Sequence, residues 1–215
     1  MAMAEKSDIG SLFEGVKEFS EKDYPEHREL FQELGRGQKP HTLFIGCSDS
    51  RVVPNLITRT LPGELFMVRN IANLVPYYRN TEEYVATTSA IEYAVQVLEV
   101  ENIVVCGHSN CGGCASLNLP AERLEHLPHV RKWLEVSKEV RGRVDRLVTD
   151  DSPEEREWLT ERVNILVQMR NLLSYPYIKE HFDQGTLSVL GWHYIIETGE
   201  IYNFCDEEKV FKLID

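Results

Sequence analysis

The chain has 215 residues, with 23 Lys and Arg against 35 Asp and Glu, a net charge of −12 at neutral pH. That acidic balance argues against a nucleic-acid partner, whose phosphates need a basic surface, and no run approaches the roughly 20 apolar residues of a membrane span. The polar stretch Met1–Gly10 lacks the apolar centre of a signal peptide, so the expectation is a cytoplasmic protein whose residues 1–215 form one domain.

Residues 8–35 carry helical spacing, with Leu12, Phe13, Val16 and Phe19 followed by Leu30, Phe31 and Leu34. Pro25 is expected to divide this region into two helices, and Gly35 and Gly37 to end it. The apolar run from His41 to Gly46 has the length of a strand, and Leu65–Val68 is a second after the turn signal Pro62-Gly63. Asn80 or Thr81 is expected to cap a long helix with Glu82 and Glu83 in its first turn, and Tyr84, Ile91, Val95 and Leu98 on one face. Ile103–Cys106 reads as a third strand, and Gly112-Gly113 leads into another helix. Residues 128–174 read as helices broken near 151–153. A late strand runs from Leu187 towards Ile195-Ile196, and Thr198-Gly199 turns the chain into an extended piece, Ile201–Phe204. Short apolar strands alternating with amphipathic helices predict an α/β fold, a mostly parallel β-sheet core flanked by helices. In such a sheet the loops after parallel strands emerge at one edge, where ligands bind. Cys47 follows one predicted strand and Gly107-His108 another, so segments about sixty residues apart in sequence are expected to meet.

The five cysteines are Cys47, Cys106, Cys111, Cys114 and Cys205, an odd number that does not fit a secreted disulfide framework. In a reducing compartment clustered cysteines point to metal binding or catalysis. In "CGHSNCGGC", residues 106–114, His108 and Cys111 are three apart, a spacing that can turn both side chains to one point. With Cys47 they supply two thiolates and an imidazole, a donor set suited to Zn²⁺ that leaves one of four positions for water. Asp49 and Arg51, in "GCSDSR", can pair beside that metal. The guanidinium would hold the carboxyl ionised, so that it only accepts hydrogen bonds and can aim an oxygen nucleophile. Two thiolate ligands should place the best working pH on the mildly alkaline side.

Other readings of the same residues stay open at this point. Cys111-Gly-Gly-Cys114 is also a C-x-x-C redox pair, and Cys114 as a fourth ligand would close a structural Cys₃His site. Cys106 and Cys205 read as small buried hydrophobes. "GHSNC" lacks the last glycine of a nucleophile elbow around Ser109. His27, His41, His126, His129, His181 and His193 read as surface or core residues, and the Glu- and Arg-rich stretch around 154–162 as a solvated helix face.

"CSDSR" followed by "GHSNCGG" resembles the β-class carbonic anhydrases, and agreement continues through "PGELFMVRNIANLVP" (62–76), "SAIEYAV" (89–95) and "ENIVVCGHSNCGG" (101–113). The resemblance implies zinc-dependent reversible hydration of carbon dioxide to bicarbonate. It implies Cys47, His108 and Cys111 as zinc ligands and Asp49 and Arg51 as a catalytic dyad. It also implies Gln38 as a substrate-contacting amide, Phe66, Ile71 and Tyr93 as cleft lining, and Gly112 as backbone near the metal. It further implies a homodimer or homotetramer whose N-terminal helices pack on a partner subunit. Some members carry a Trp three residues before the first cysteine ligand, together with an inhibitory bicarbonate site. Phe44 stands there in this chain, which points to the branch lacking that site, with Asp49 paired to Arg51 rather than bound to zinc. The alternatives are a carbonyl sulfide or carbon disulfide hydrolase of the same fold, or a non-catalytic zinc or redox module.

Overall fold

The computed structural model describes residues 8–81, 83, 85–150 and 152–215. The chain divides into two compact units, one ending at Gln38 and the other running Lys39–Asp215.

In the first unit, helix α1 (Ile9–Glu18) passes into a π-helical turn, Phe19–Asp23, then α2 (Tyr24–Glu26) and α3 (Arg28–Leu34). Asp8 caps α1 by accepting the Gly10 amide. The break expected at Pro25 falls two residues later, at His27, where the backbone leaves the helical region (φ −107°, ψ 20°). Pro25 sits in the first turn of α2, where its missing N–H costs nothing, and the helix yields on either side of it instead. Phe19, Tyr24 and Phe31 pack together, with the Tyr24 and Phe31 rings stacked at 5.3 Å.

The second unit is built on a six-stranded sheet: β1 (Thr42–Cys47), β2 (Leu65–Asn70), β3 (Asn102–His108), β4 (Ser188–Tyr194), β5 (Ile201–Cys205) and β6 (Val210–Leu213). The spatial order is β2-β1-β3-β4-β5-β6; the first four strands run parallel, and β5 and β6 return antiparallel. All six residues of β1 are buried, as a central parallel strand covered on both faces requires. Its side chains alternate between two cores. Leu43 and Ile45 join Ile103, Val105, Ile91, Val95, Ile165 and Tyr175 on one face. Phe44 joins Val104, Cys106 and Trp192 on the other.

Helices α4 (Pro54–Thr58), α5 (Ala86–Gln96), α6 (Gly112–Leu117), α7 (Pro128–Leu134), α8 (Lys138–Val144), α9 (Pro153–Leu172) and α10 (Pro176–Asp183) connect the strands. The helix expected to start at Asn80 or Thr81 starts at Ala86, with Val85 at its N-cap. Thr81 Oγ1 does accept the Glu83 amide, but no helix follows directly from it. Upstream, side chains from 168–175 hold the backbone of 75–78. Gln168 Oε1 accepts the Val75 amide, Asn171 donates to the Val75 carbonyl, Ser174 Oγ accepts the Tyr78 amide and Tyr175 donates to the Pro76 carbonyl. Glu82 and Tyr84, expected in that helix, lie outside the described residues, as does Asp151 at the expected break. Ile91 and Val95 are buried as the spacing implied. Helix α9 begins with a Ser152 cap on the Glu155 amide and Pro153 in the first turn. The solvated face expected at 154–162 gives way at its end, where Thr160 and Glu161 are buried.

Candidate metal centre and active site

The parallel register makes the site. β1 and β3 are neighbours with Gly46 opposite Cys106, so Cys47 and His108 leave the sheet at the same edge. His108 is the last residue of β3 rather than the first of the loop, because its backbone still pairs with β4 opposite Tyr194. The Ser109 amide donates to the Tyr194 carbonyl, and Asn110 takes a left-handed conformation (φ 55°) that turns Cys111 back over the strand ends. α6 then starts at Gly112. Gly113 has no room for a side chain: a Cβ there would lie 2.9 Å from both the Ala72 Cβ and the Ala72 nitrogen.

Cys47, His108 and Cys111 come together, all buried, with their ligand atoms within 4.8 Å of one another. The two sulfurs are 3.9 Å apart. Two thiolates bound at about 2.3 Å to one tetrahedral ion stand about 3.8 Å apart, so this pair fits zinc closely. The His108 ring is set for the same purpose. Its Nδ1 donates to the Ser109 carbonyl at 2.9 Å, which leaves Nε2 as the lone-pair nitrogen. That Nε2 is buried and has no hydrogen-bond partner. A buried orphan acceptor facing two thiols is the signature of a missing cation. Mutual hydrogen bonding and burial push the Cys47 thiol up to about 12. The Cys114 thiol beside Cys111, together with burial, does the same there, again to about 12. Burial opposes a charge on His108, but the Cys47 sulfur and the Ser109 carbonyl outweigh it and raise its pKa. These are the properties of the metal-free site; a divalent cation reverses them by displacing the protons.

Asp49 lies beside the cluster, its Oδ2 3.8 Å from His108 Nε2. Arg51 grips it bidentately, Nε to Oδ1 at 2.9 Å and Nη2 to Oδ2 at 2.7 Å. The same Nη2 donates to the Asn110 carbonyl at 3.0 Å, tying the first ligand loop to the second. The guanidinium holds the Asp49 carboxyl well below the usual carboxylate range. Arg69, at the end of β2, donates to the Cys47 and Asp49 carbonyls at 3.0 and 2.6 Å. Glu197 accepts from Ser109 Oγ at 2.8 Å and from the Asn110 amide group. Glu161 accepts the Cys111 backbone N–H at 3.1 Å. Spacing arguments missed Arg69, Glu161 and Glu197, which no local pattern separates from ordinary surface charges.

Phe66 on β2 and Tyr93 on α5 pack against each other, rings 6.0 Å apart, and Tyr93 is exposed. Ile71, directly after β2, is 40% exposed and faces Gly113. Gly112 opens α6 next to Cys111, with open space where a Cβ would go. Gln38 is the exposed last residue of the first unit. Cys114 is buried outside the three-ligand group and accepts from Asn164 Nδ2 at 3.6 Å. Cys106 is fully buried, as read, whereas Cys205 is only partly so.

The carbonic anhydrase family model matches residues 42–201. A carbonic anhydrase of Helicobacter pylori is 42% identical over 206 residues, covering 94% of this chain and 93% of that protein. The structure of the β-carbonic anhydrase CcaA superposes with a TM-score of 0.92 at 38% identity, covering 97% of this chain and 100% of that one. One of two tetrameric β-carbonic anhydrases of Sordaria macrospora gives 0.75 at 31%, covering 91% and 95%. Fold, ligand geometry and sequence likeness converge, and the chain belongs to the β-class carbonic anhydrase family.

Proposed function

We propose that this chain catalyses the zinc-dependent, reversible hydration of carbon dioxide to bicarbonate and a proton. The observation that carries the reading is the buried Cys47–His108–Cys111 cluster with the Asp49–Arg51 pair against it. Zn²⁺ held by these three residues supplies Lewis acidity that lowers the pKa of a water. His108 presents Nε2 because the Ser109 carbonyl occupies the other side of its ring. Asp49, kept ionised by Arg51, can only accept. It would accept a hydrogen bond from the reacting oxygen and so orient a lone pair of that oxygen towards the carbon. Arg51 fixes the carboxylate by two parallel hydrogen bonds and so limits its rotation. Phe66, Ile71 and Tyr93 provide an apolar approach for carbon dioxide, and Gly112 leaves backbone accessible beside Cys111. The released proton passes to buffer, so turnover rises with buffer concentration.

The functional form we propose is a homodimer or homotetramer in the cytoplasm, with residues 1–215 acting as one domain. The tetrameric Sordaria macrospora enzyme supports the oligomer. So does helix α1, whose Leu12 and Phe13 are each 62% exposed on an apolar face that a partner subunit would cover. No helix among the described residues is long and apolar enough to cross a membrane.

The test is metal analysis of the purified chain joined to stopped-flow carbon dioxide hydration, before and after a chelator and after zinc is restored. Stoichiometric zinc and chelator-sensitive hydration are expected; full activity in metal-free protein refutes the reading. Carbonyl sulfide and carbon disulfide assayed beside carbon dioxide decide the substrate, with carbon dioxide expected to be turned over fastest.

A further inference from the structure

We infer that Glu161, held by His193 and Arg162, is a positioning residue that sets the Cys111 ligand loop for metal; this rests on the zinc reading above. Glu161 is 3% exposed and His193 is fully buried. A carboxylate and an imidazole this deep need partners, and the partners form one directed chain. Arg162 Nε donates to His193 Nδ1 at 3.2 Å. An arginine only donates, so Nδ1 accepts and Nε2 carries the ring proton. Nε2 stands 3.0 Å from Glu161 Oε2 and donates to it. The other oxygen, Oε1, accepts the Cys111 N–H. Each oxygen of Glu161 therefore has a fixed donor, and the carboxylate cannot rotate without breaking one of them.

The anchor points lie on rigid elements. Glu161 and Arg162 are on α9, and His193 is on β4 opposite Gly107, one residue before the ligand His108. The Arg162 guanidinium lies 3.8 Å from the centroid of the Trp158 ring and within 5.5 Å of the Tyr202 and Phe211 rings, which hold the cation in place. The chain thus locks the loop after β3 to the helix that covers the sheet. Its last bond falls on the residue whose sulfur must sit 3.9 Å from Cys47 Sγ.

Glu161→Gln tests the inference with almost no change in volume. The amide offers one acceptor and one donor, so either the His193 N–H or the Cys111 N–H faces another donor. Outer partners of metal ligands are typically worth about 10- to 100-fold in metal affinity, and zinc release from the loaded variant to a coloured chelator should quicken by about that factor. The cobalt(II)-substituted variant should show altered thiolate charge-transfer and d–d bands. Arg162→Met attacks the far end of the chain and should shift both readouts in the same direction. It serves as the deciding variant if Glu161→Gln does not fold. Val163→Ala, in the separate cluster with Val140, Val144 and Val167, should lower the melting temperature without changing either readout. Wild-type release rates and spectra in both Arg162→Met and any folded Glu161→Gln overturn the inference alone. Equal quickening in Val163→Ala also overturns it, because the effect is then general loosening. Wild-type protein that takes up no zinc overturns the proposed function, and this inference with it.

Discussion

Replacing Asp49 by Asn separates a catalytic role from a structural one, because the structure gives the two roles different magnitudes. Asn keeps the shape of Asp but puts an NH₂ group where Oδ1 or Oδ2 now accepts from Arg51 at 2.9 and 2.7 Å. As an ion pair the interaction is modest. The Arg51 side chain is 45% exposed and that of Asp49 19%, and pairs so open to solvent are worth about 0–1 kcal/mol. In a chain of this size 1 kcal/mol moves the melting temperature by about 2–4 °C, so the thermal shift should stay within that range. As an orienting acceptor at the reacting oxygen the residue counts for more. Loss of one such preorganised hydrogen bond costs about 10²–10³ in kcat, or about 2.7–4 kcal/mol. Stopped-flow hydration at fixed zinc content should therefore fall by two to three orders of magnitude, while calorimetry shows an almost unchanged fold. Hydration within about fivefold of wild type, against the two orders expected, refutes the orienting role. A melting temperature lowered by more than about 8 °C, twice the ion-pair ceiling, shows instead that the pair holds the loops together.

Metal-free Cys47 and Cys111 have thiols raised to about 12, so both are protonated at neutral pH and zinc must expel two protons. Apparent zinc affinity should rise with pH by up to about 100-fold per unit, measured by chelator competition; a flat profile between about pH 6 and 8 contradicts the ligand set. Asp49 titrates far below neutrality. Its pairing with Arg51 stabilises the fold above the ordinary carboxylate pKa and loses that contribution only in strong acid, so an activity change near neutral pH that vanishes in Asp49→Asn refutes the assignment. Gly113→Ala pushes a methyl group to 2.9 Å from the Ala72 backbone and side chain, an overpacking cost of about 1–3 kcal/mol; an unchanged denaturation midpoint is the contrary result. Leu12→Ser with Phe13→Ser should reduce the sedimenting mass, and an unaltered oligomer excludes α1 from the subunit interface.

The strands and their type were legible because β1, β2 and β3 are short apolar runs bounded by turn signals; β1 and β3 are buried as central parallel strands, and β2 lies at the sheet edge. β6 went unread, since Val210–Leu213 lies mostly exposed at the sheet edge and lacks such a run. The start of α5 was misread because the capping signals at Asn80 and Thr81 are genuine as local chemistry. Thr81 makes its side-chain bond to the Glu83 amide without a helix following from it, and spacing could not show that Gln168, Asn171, Ser174 and Tyr175 bind the backbone of 75–78 from nearly a hundred residues away. The ligand triad was legible because Cys47 and His108 sit at strand ends, where the fold class predicts a meeting point, and Cys111 follows His108 by three residues.

The amino-acid order by itself determined the donor types and their approximate meeting place: a thiol at the end of one parallel strand, an imidazole and a thiol three residues apart around the end of another, and a carboxylate two residues from its guanidinium. Those are local facts, written in spacing. Only the tertiary structure decided that Arg69, Glu197 and the Glu161–His193–Arg162 chain hold the loops, because each bond joins residues about twenty to ninety apart in sequence. The physical reason is burial. A carboxylate at the end of a charged helix looks solvated in sequence, and it becomes a fixed acceptor only when α9 packs against β3 and β4 and removes the water around it.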